Sequence, residues 1–309
     1  MTPTPEHVTV IVPTRERCDS VVRAIRSVLA NRAPAFDLIV VDQSESNETE
    51  AAVTVFAGDP RFRYIRSATR GISAGRNIGN RVATGAIIAN TDDDCEVPED
   101  WIQGIRDAWR QCPHAAIVMG NVTAAPHPKD GFIPAYLVRQ ATFIRKIREK
   151  HKAEGMGACF THRASTWRDL GGFDEMLGTG SRFPSAEESD FVIRALALGR
   201  GVFETPAFGV IHHGFRRWDE SDELIAGYLR GIGAMSAKHV RQHGASYLYV
   251  LARLAARWAW GRPVVDLGYL PGRLPRLRAF AGGFREGWAL PINQSGCFGT
   301  SQTTVHTSA

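Results

Sequence analysis

Long apolar runs are missing from this chain. No stretch of its 309 residues approaches the roughly 18 uninterrupted apolar positions of a membrane-spanning helix, so no transmembrane segment is expected. The opening residues, MTPTPEHVTV, lack a basic region followed by an apolar core, so no signal peptide is expected either. Cysteine is sparse: Cys18, Cys95, Cys112, Cys159 and Cys297 are odd in number and scattered, with no Cys-x-x-Cys. That pattern excludes a disulfide framework or a structural zinc site and fits a reducing cytosol. Gly71, Gly75 and Gly79 recur every four residues but do not form Gly-x-Gly-x-x-Gly, which argues against a dinucleotide-dependent oxidoreductase. Glycine is also absent from Pro13-Thr14-Arg15-Glu16-Arg17, the loop that a sugar nucleotidyltransferase would make glycine-rich. No repeat of solenoid length occurs. What is present, 44% hydrophobic and 22% charged residues, is ordinary for a soluble globular protein.

The net charge of +5 conceals an asymmetry. From Ile225 onward there are ten Lys/Arg and two Asp/Glu, which leaves 27 basic against 30 acidic residues before it. Such a basic segment suits nucleic acid, an anionic membrane surface or a solvated face.

Buried strands are expected at 7–12, 38–41, 62–65 and 86–89, with helices at 19–29, 51–57 and 73–83 between them. Ser73 reads as the cap of the third helix. A helix at 101–109 and an extended segment at 115–122 follow, then a helix at 187–198 and short strands at 202–204 and 208–211. Strands alternating with helices predict an α/β fold with a mainly parallel sheet. Residues 123–154 carry several prolines and a basic stretch from Arg139 to Lys152, read either as a mobile loop near an anionic substrate or as a solvated helix face. The expected organisation is a catalytic domain at 1–224, a basic helical extension at 225–288 and a disordered tail at 289–309.

Asp92-Asp93-Asp94 follows the apolar run Ala86-Ile87-Ile88-Ala89 almost directly. Carboxylates about 4 Å apart repel by roughly 4 kcal/mol near a protein surface. A hard divalent ion with substrate phosphates would relieve that repulsion, at the carboxyl end of a strand where open α/β sheets bind ligands. The plainer reading is a solvated acidic turn entering a helix. Asp42 could bind a base or ribose, or simply open an Asx-turn. Glu187-Glu188 is a second acidic pair, and Ser185-x-x-Glu188 also matches a helix capping box. His212-His213 follows an apolar strand and offers metal ligands or packed side chains.

The order of these pieces is more specific than any one of them. VTVIVPTRER, LIVVDQS, RGISAGRNIGNRVATGAIIANTDDD, LGGFDE, AEESDFVIRAL and HHG together resemble the family-2 glycosyltransferases over about residues 7–215. The resemblance implies a GT-A-type fold with a C-terminal helical extension and an inverting transfer from a nucleotide-sugar donor, UDP-sugar first. It implies Pro13, Thr14, Arg17, Asp42, Arg70, Arg76, Asn77, Asp92 and Asp93 around the donor. Asp92 and Asp94 match the outer residues of the Asp-x-Asp motif, with Asp94 the direct ligand of Mn²⁺ or Mg²⁺ and His212 or His213 completing the shell. Glu188, with Glu187 beside it, matches the catalytic base, where the family more often has Asp. Gln43 stands where a second acid often occurs. The implied partners are a glycan or lipid-linked acceptor and no nucleic acid, in synthesis of cell-surface polysaccharide or glycoconjugate. A non-catalytic nucleotide-sugar-binding module on the same fold is the rival.

The C-terminal quarter sets apolar and aromatic residues such as Leu248, Leu251, Leu254 and Trp258 opposite Arg253 and Arg257, with Arg262, Arg273, Arg276, Arg278 and Arg285 beyond. One reading is peripheral contact with the inner face of the membrane by a cytoplasmic protein. The other is plain packing on the catalytic domain.

Overall fold

The computed structural model describes residues 6–259 and 272–299. The first half alternates strands and helices: β1 (Val8–Thr14), α1 (Cys18–Leu29), β2 (Phe36–Asp42), α2 (Glu48–Val53), β3 (Phe62–Arg66), α3 (Ile72–Val82), β4 (Ile87–Asn90), β5 (Cys95–Glu96), α4 (Trp101–Gln111) and β6 (Ala115–Ala124). The middle supplies β7 (Gly131–Phe132), β8 (Thr142–Ile144), β9 (Phe160–Arg163) and α5 (Ala164–Asp169). Then come α6 (Glu187–Ala197), β10 (Gly201–His212), β11 (Arg216–Arg217), α7 (Ser221–His243), α8 (Ala245–Ala259) and α9 (Arg273–Ala289).

The main sheet runs β3-β2-β1-β4-β9-β6-β10-β5, with β8 also on β10. β1 is buried along its whole length, which explains why VTVIV is apolar on both faces: helices cover it above and below. The four strands β3, β2, β1 and β4 are parallel, β6 and β10 are parallel, and β9 enters antiparallel between the two groups. The register Thr14↔Asp42 and Ile11↔Asn90 aligns the carboxyl ends of three neighbouring strands. Asp92-Asp93-Asp94 leaves the sheet at that edge. Gly75 and Gly79 of α3 lie against Pro13 and Ile11, where an added Cβ would fall 2.9 and 2.6 Å from those side chains. The four-residue glycine spacing therefore serves close packing of α3 on β1.

Several local expectations give way to tertiary contacts. Helix α3 starts at Gly71 rather than on a Ser73 cap, because the Ser73 hydroxyl donates to the Leu177 carbonyl at 2.7 Å. Ser185 does not form a capping box with Glu188. Its hydroxyl donates to the Tyr228 carbonyl at 2.7 Å, and Ala186, at φ 75°, precedes α6. The two short strands at 202–204 and 208–211 are one strand, β10, with an irregularity between Glu204 and Gly209. The basic stretch before Glu154 is neither a helix face nor one long loop: it holds β8 and a short 3₁₀ turn, Ile147–Lys152.

The C-terminal helices pack as part of the same core. Lys238 of α7 is fully buried and bridges Asp174 and Asp190, 2.7 Å from the latter. Asp190 also binds Arg194 and His239, each at 2.8 Å. Arg230 pairs with Glu286 across α7 and α9, and Arg241 donates to the Trp288 and Leu290 carbonyls. These cations tie helices together, whereas the packing reading expected solvated arginines. The tail expected to be disordered from 289 is ordered through Gly299: Phe298 is buried and its N–H donates to Asp174 at 2.7 Å. The lone periodicity signal could not anticipate a segment held by a single buried carboxylate. Residues 300–309 and Arg262 lie outside the described residues. Among the described residues no helix is long and apolar enough to cross a membrane.

Candidate active site

A cavity of about 960 Å³ opens over the carboxyl ends of β1 and β4. Its floor is the acidic triplet, lined also by Pro13, Thr14, Arg17 and Gln43, and its far wall carries Glu187 and Glu188. Three hydrogen bonds orient the triplet. The Thr14 hydroxyl donates to Asp93 at 2.8 Å, and Arg17 Nη1 donates to Asp93 and Asp94 at 3.1 and 3.0 Å. Arg76, on α3, is fully buried and joins the two walls. Its Nη1 donates to Glu187 and its Nη2 to Asp92, both at 3.1 Å.

The acids outnumber these cations, and their protonation reflects it. Burial, followed by the charges of Asp94 and Asp92, pushes Asp93 up to about 6 against the pull of Arg17. Burial would raise Asp94 too, but the hydrogen bond and charge of His212, then Arg17 and Arg216, hold it down to about 2. Glu188 is pushed up to about 8, first by burial and then by the charge of Glu187, with Arg76 and Lys150 opposing. Glu187 is held by the hydrogen bond from Arg76 Nη1. Glu188 makes no ion pair among the described residues; its own backbone N–H is the donor that meets it. A carboxyl raised in this way and open to a cleft is suited to accept a proton.

His212 Nδ1 lies 2.9 Å from the Pro134 carbonyl, which can only accept, so Nδ1 carries the proton. Nε2 then faces Asp94 at 3.2 Å, where it needs either a second proton or a shared cation. A Cβ on Gly214 would intrude to 2.6 Å from His212 Nε2 and 2.7 Å from Asp94 Oδ2, so glycine keeps that cradle open. The Cys95 thiol lies with Asp94 and His212 in a potential ligand group, but burial raises it well above the usual thiol range and keeps it protonated. The remaining oxygen and imidazole donors fit a hard or borderline divalent ion.

The family model for glycosyl transferase family 2 matches residues 9–170, just over half of the chain. This chain belongs to glycosyl transferase family 2. It is 26% identical over 227 residues to a glucosyl-dolichyl phosphate glucuronosyltransferase of Haloferax volcanii, covering 68% of this chain and 69% of that protein. It is 29% identical over 282 residues to the succinoglycan biosynthesis protein ExoO of Rhizobium meliloti, covering 81% and 78%. Among solved structures it resembles the mannosyltransferase PcManGT of Pyrobaculum calidifontis, determined with GDP-Man and Mn²⁺. The TM-score is 0.57 at 18% identity, over 93% of this chain and 87% of that one. The likeness establishes the GT-A-type fold.

Within this glycosyltransferase the structure gathers most, but not all, of the residues singled out from sequence. Pro13, Thr14, Arg17, Arg76, Asp92, Asp93, Asp94, Glu187, Glu188 and His212 all line the cavity. Asp42 does not. It is fully buried, its oxygens taken by the Tyr64 hydroxyl at 2.7 Å and the Ser44 N–H at 2.9 Å, the latter an Asx-turn. Gln43 faces the cavity in its place. Asn77 clamps the glycine-rich loop after α5, bonding the Phe173 N–H and carbonyl and Trp167 Nε1. Arg70 points away and pairs with Glu45. His213 turns to Glu96 at 3.2 Å, leaving His212 alone beside Asp94. Lys150, which lines the cavity near Glu188, was missed. It lies among five other cations between Arg139 and Lys152, and nothing in its spacing marks it as the buried one.

Proposed function

We propose that this chain moves a sugar from a nucleoside-diphosphate donor, a UDP-sugar first, to an acceptor hydroxyl in polysaccharide or glycoconjugate synthesis, with inversion at the anomeric carbon. The observation that carries the reading is the pair of acids on the far wall: Glu187 is locked by Arg76, while Glu188 stands unpaired, raised and facing the Asp triplet across one cavity. The acceptor hydroxyl gives its proton to the Glu188 carboxylate as its oxygen attacks the anomeric carbon. The bond from that carbon to the diphosphate oxygen breaks on the opposite face. A single displacement of this kind inverts the configuration and needs no carboxylate nucleophile. Arg76 and Arg17 offer positive charge to the departing diphosphate. Asp94, His212 and Asp92 would hold Mn²⁺ or Mg²⁺, which supplies Lewis-acid stabilisation of the leaving group when bound.

A thermal-shift panel of UDP- and GDP-sugars with and without Mn²⁺ tests donor binding, since a ligand of the folded state raises its stability. Product NMR then reads the stereochemistry: an α-linked donor should yield a β-linked product. Retained configuration contradicts the displacement, and nucleotide binding without any donor cleavage leaves only a binding module.

A further inference from the structure

The cavity does not end at the catalytic acids. It continues between α7, α8 and α9, where Leu229, Ile232, Leu251, Leu254, Leu277 and Phe280 form an aliphatic wall. Arg276 lines this same end, and its guanidinium makes no hydrogen bond or ion pair among the described residues. Its Nε is shut off from solvent without a partner, although a buried polar group left unpaired costs stability. Leu274 and Leu277, 58% and 64% exposed, stand at this end of α9. An oligosaccharide would find few hydrogen-bonding groups here. An apolar chain would be covered on several sides, and an anion on it would give Arg276 its missing partner.

We propose that this end of the cavity seats a phosphorylated long-chain lipid that carries the acceptor hydroxyl, with the hydrocarbon along α7–α9 and the phosphate at Arg276. The assignment rests on the glycosyltransfer reading above and deepens it, by choosing an amphiphilic acceptor over a free glycan. The occupant must share one cavity with the donor and reach Glu188, so a slender amphiphile fits where a folded partner does not.

The test is calorimetric titration of the full chain with hexyl, octyl and decyl phosphate below their micellar concentrations, beside inorganic phosphate and octyl glucoside. Affinity should rise by about fourfold per added methylene. Octyl phosphate should bind at least tenfold more tightly than octyl glucoside. Arg276→Gln should erase that preference for phosphate and keep the dependence on chain length. Leu277→Glu should flatten the chain-length dependence, and Val55→Glu, a distant surface control, should change neither. Inorganic phosphate binding as tightly as decyl phosphate, or Arg276→Gln behaving like the parent, overturns the proposal. Titration with UDP, GDP and Mn²⁺ is run in parallel. Nucleotide binding with no chain-length effect sinks the lipid seat alone, whereas a chain-length effect with no nucleotide binding sinks the transferase reading instead.

Discussion

Two clusters of charge lie within this molecule, and they are built on opposite plans. Around Lys238, Asp174 and Asp190 meet Lys238 and Arg194, with His239 pressed toward its neutral form by burial. Charges balance there, every carboxylate is saturated, and Asp190 is held far below the usual carboxylate range, its burial outweighed by Lys238 and Arg194. Around Arg76, the acids Asp92, Asp93, Asp94 and Glu187 pair directly with Arg17, Arg76 and His212, Glu188 has no ion pair among the described residues, and Arg216 and Lys150 act on Asp94 and Glu188 through their charge alone. The acids outnumber the cations paired directly with them, Asp93 and Glu188 are raised to about 6 and about 8, and a cavity opens onto them. Both clusters are buried and dense. Burial of an acid therefore does not by itself mark a site. An unbalanced set of acids beside open space does, because the missing positive charge must come from a ligand.

The largest effect separating the two should come from Lys238→Met. It strands two buried carboxylates, and breaking such a pairing costs about 3–5 kcal/mol. Urea denaturation followed by circular dichroism reads that loss. An equally stable variant would mean that the network is not what ties α7 to α6.

In the open cluster the main change is in ligand response. Asp94→Asn gives up the attraction of His212 and Arg17 that keeps this carboxylate ionised, so the apo chain should lose some stability, less than Lys238→Met does, and its response to metal should disappear. For the parent chain, Mn²⁺ at a hundredfold over its dissociation constant should add about 2.7 kcal/mol. Differential scanning calorimetry with Mn²⁺ and with EDTA checks both halves. His212→Ala should share the loss of metal response, and His213→Ala should keep it. A metal response that survives in Asp94→Asn places the ion elsewhere.

The smallest effect is a slope with pH. Glu188 sits at about 8 in the folded chain against 4.5 ordinarily, so between those values the folded state holds a proton that the unfolded state has released. Its contribution therefore makes stability fall as pH rises across that window. Glu188→Gln should remove that part of the slope. In the balanced cluster the sign is opposite: the contribution of Asp190 is present above its ordinary 3.8 and is lost as pH falls below it. Denaturation midpoints measured from about pH 2 to about pH 9 for parent and Glu188→Gln cover both windows; parallel curves between 4.5 and about 8 contradict the raised carboxyl.

Much of the fold was legible because period and length agree: VTVIV and LIVV are short, branched and apolar on both faces, as central parallel strands require. The acidic triplet was legible because it ends such a strand. What was not legible depended on distant partners. Ser185 and Glu188 have the spacing of a capping box, yet the Tyr228 carbonyl, 43 residues away, takes the hydroxyl. Asn77 lies one residue after Arg76 in the same helix, but α3 turns one into the cavity and the other onto the loop at Phe173. Lys238 looked like one cation of a basic segment, and only the fold shows that it is buried between two acids. The tail gave no period because a single N–H, that of Phe298, meets the same network.

The most direct test of the unbalanced cluster is the transfer rate of Glu188→Gln beside Glu187→Gln, with donor affinity measured for each. Glu188→Gln should keep nucleotide affinity and lose transfer by roughly 10²-fold or more, with the residual rate no longer rising as pH climbs through 8. Transfer by Glu188→Gln close to that of the parent, with the same pH dependence, would contradict that expectation.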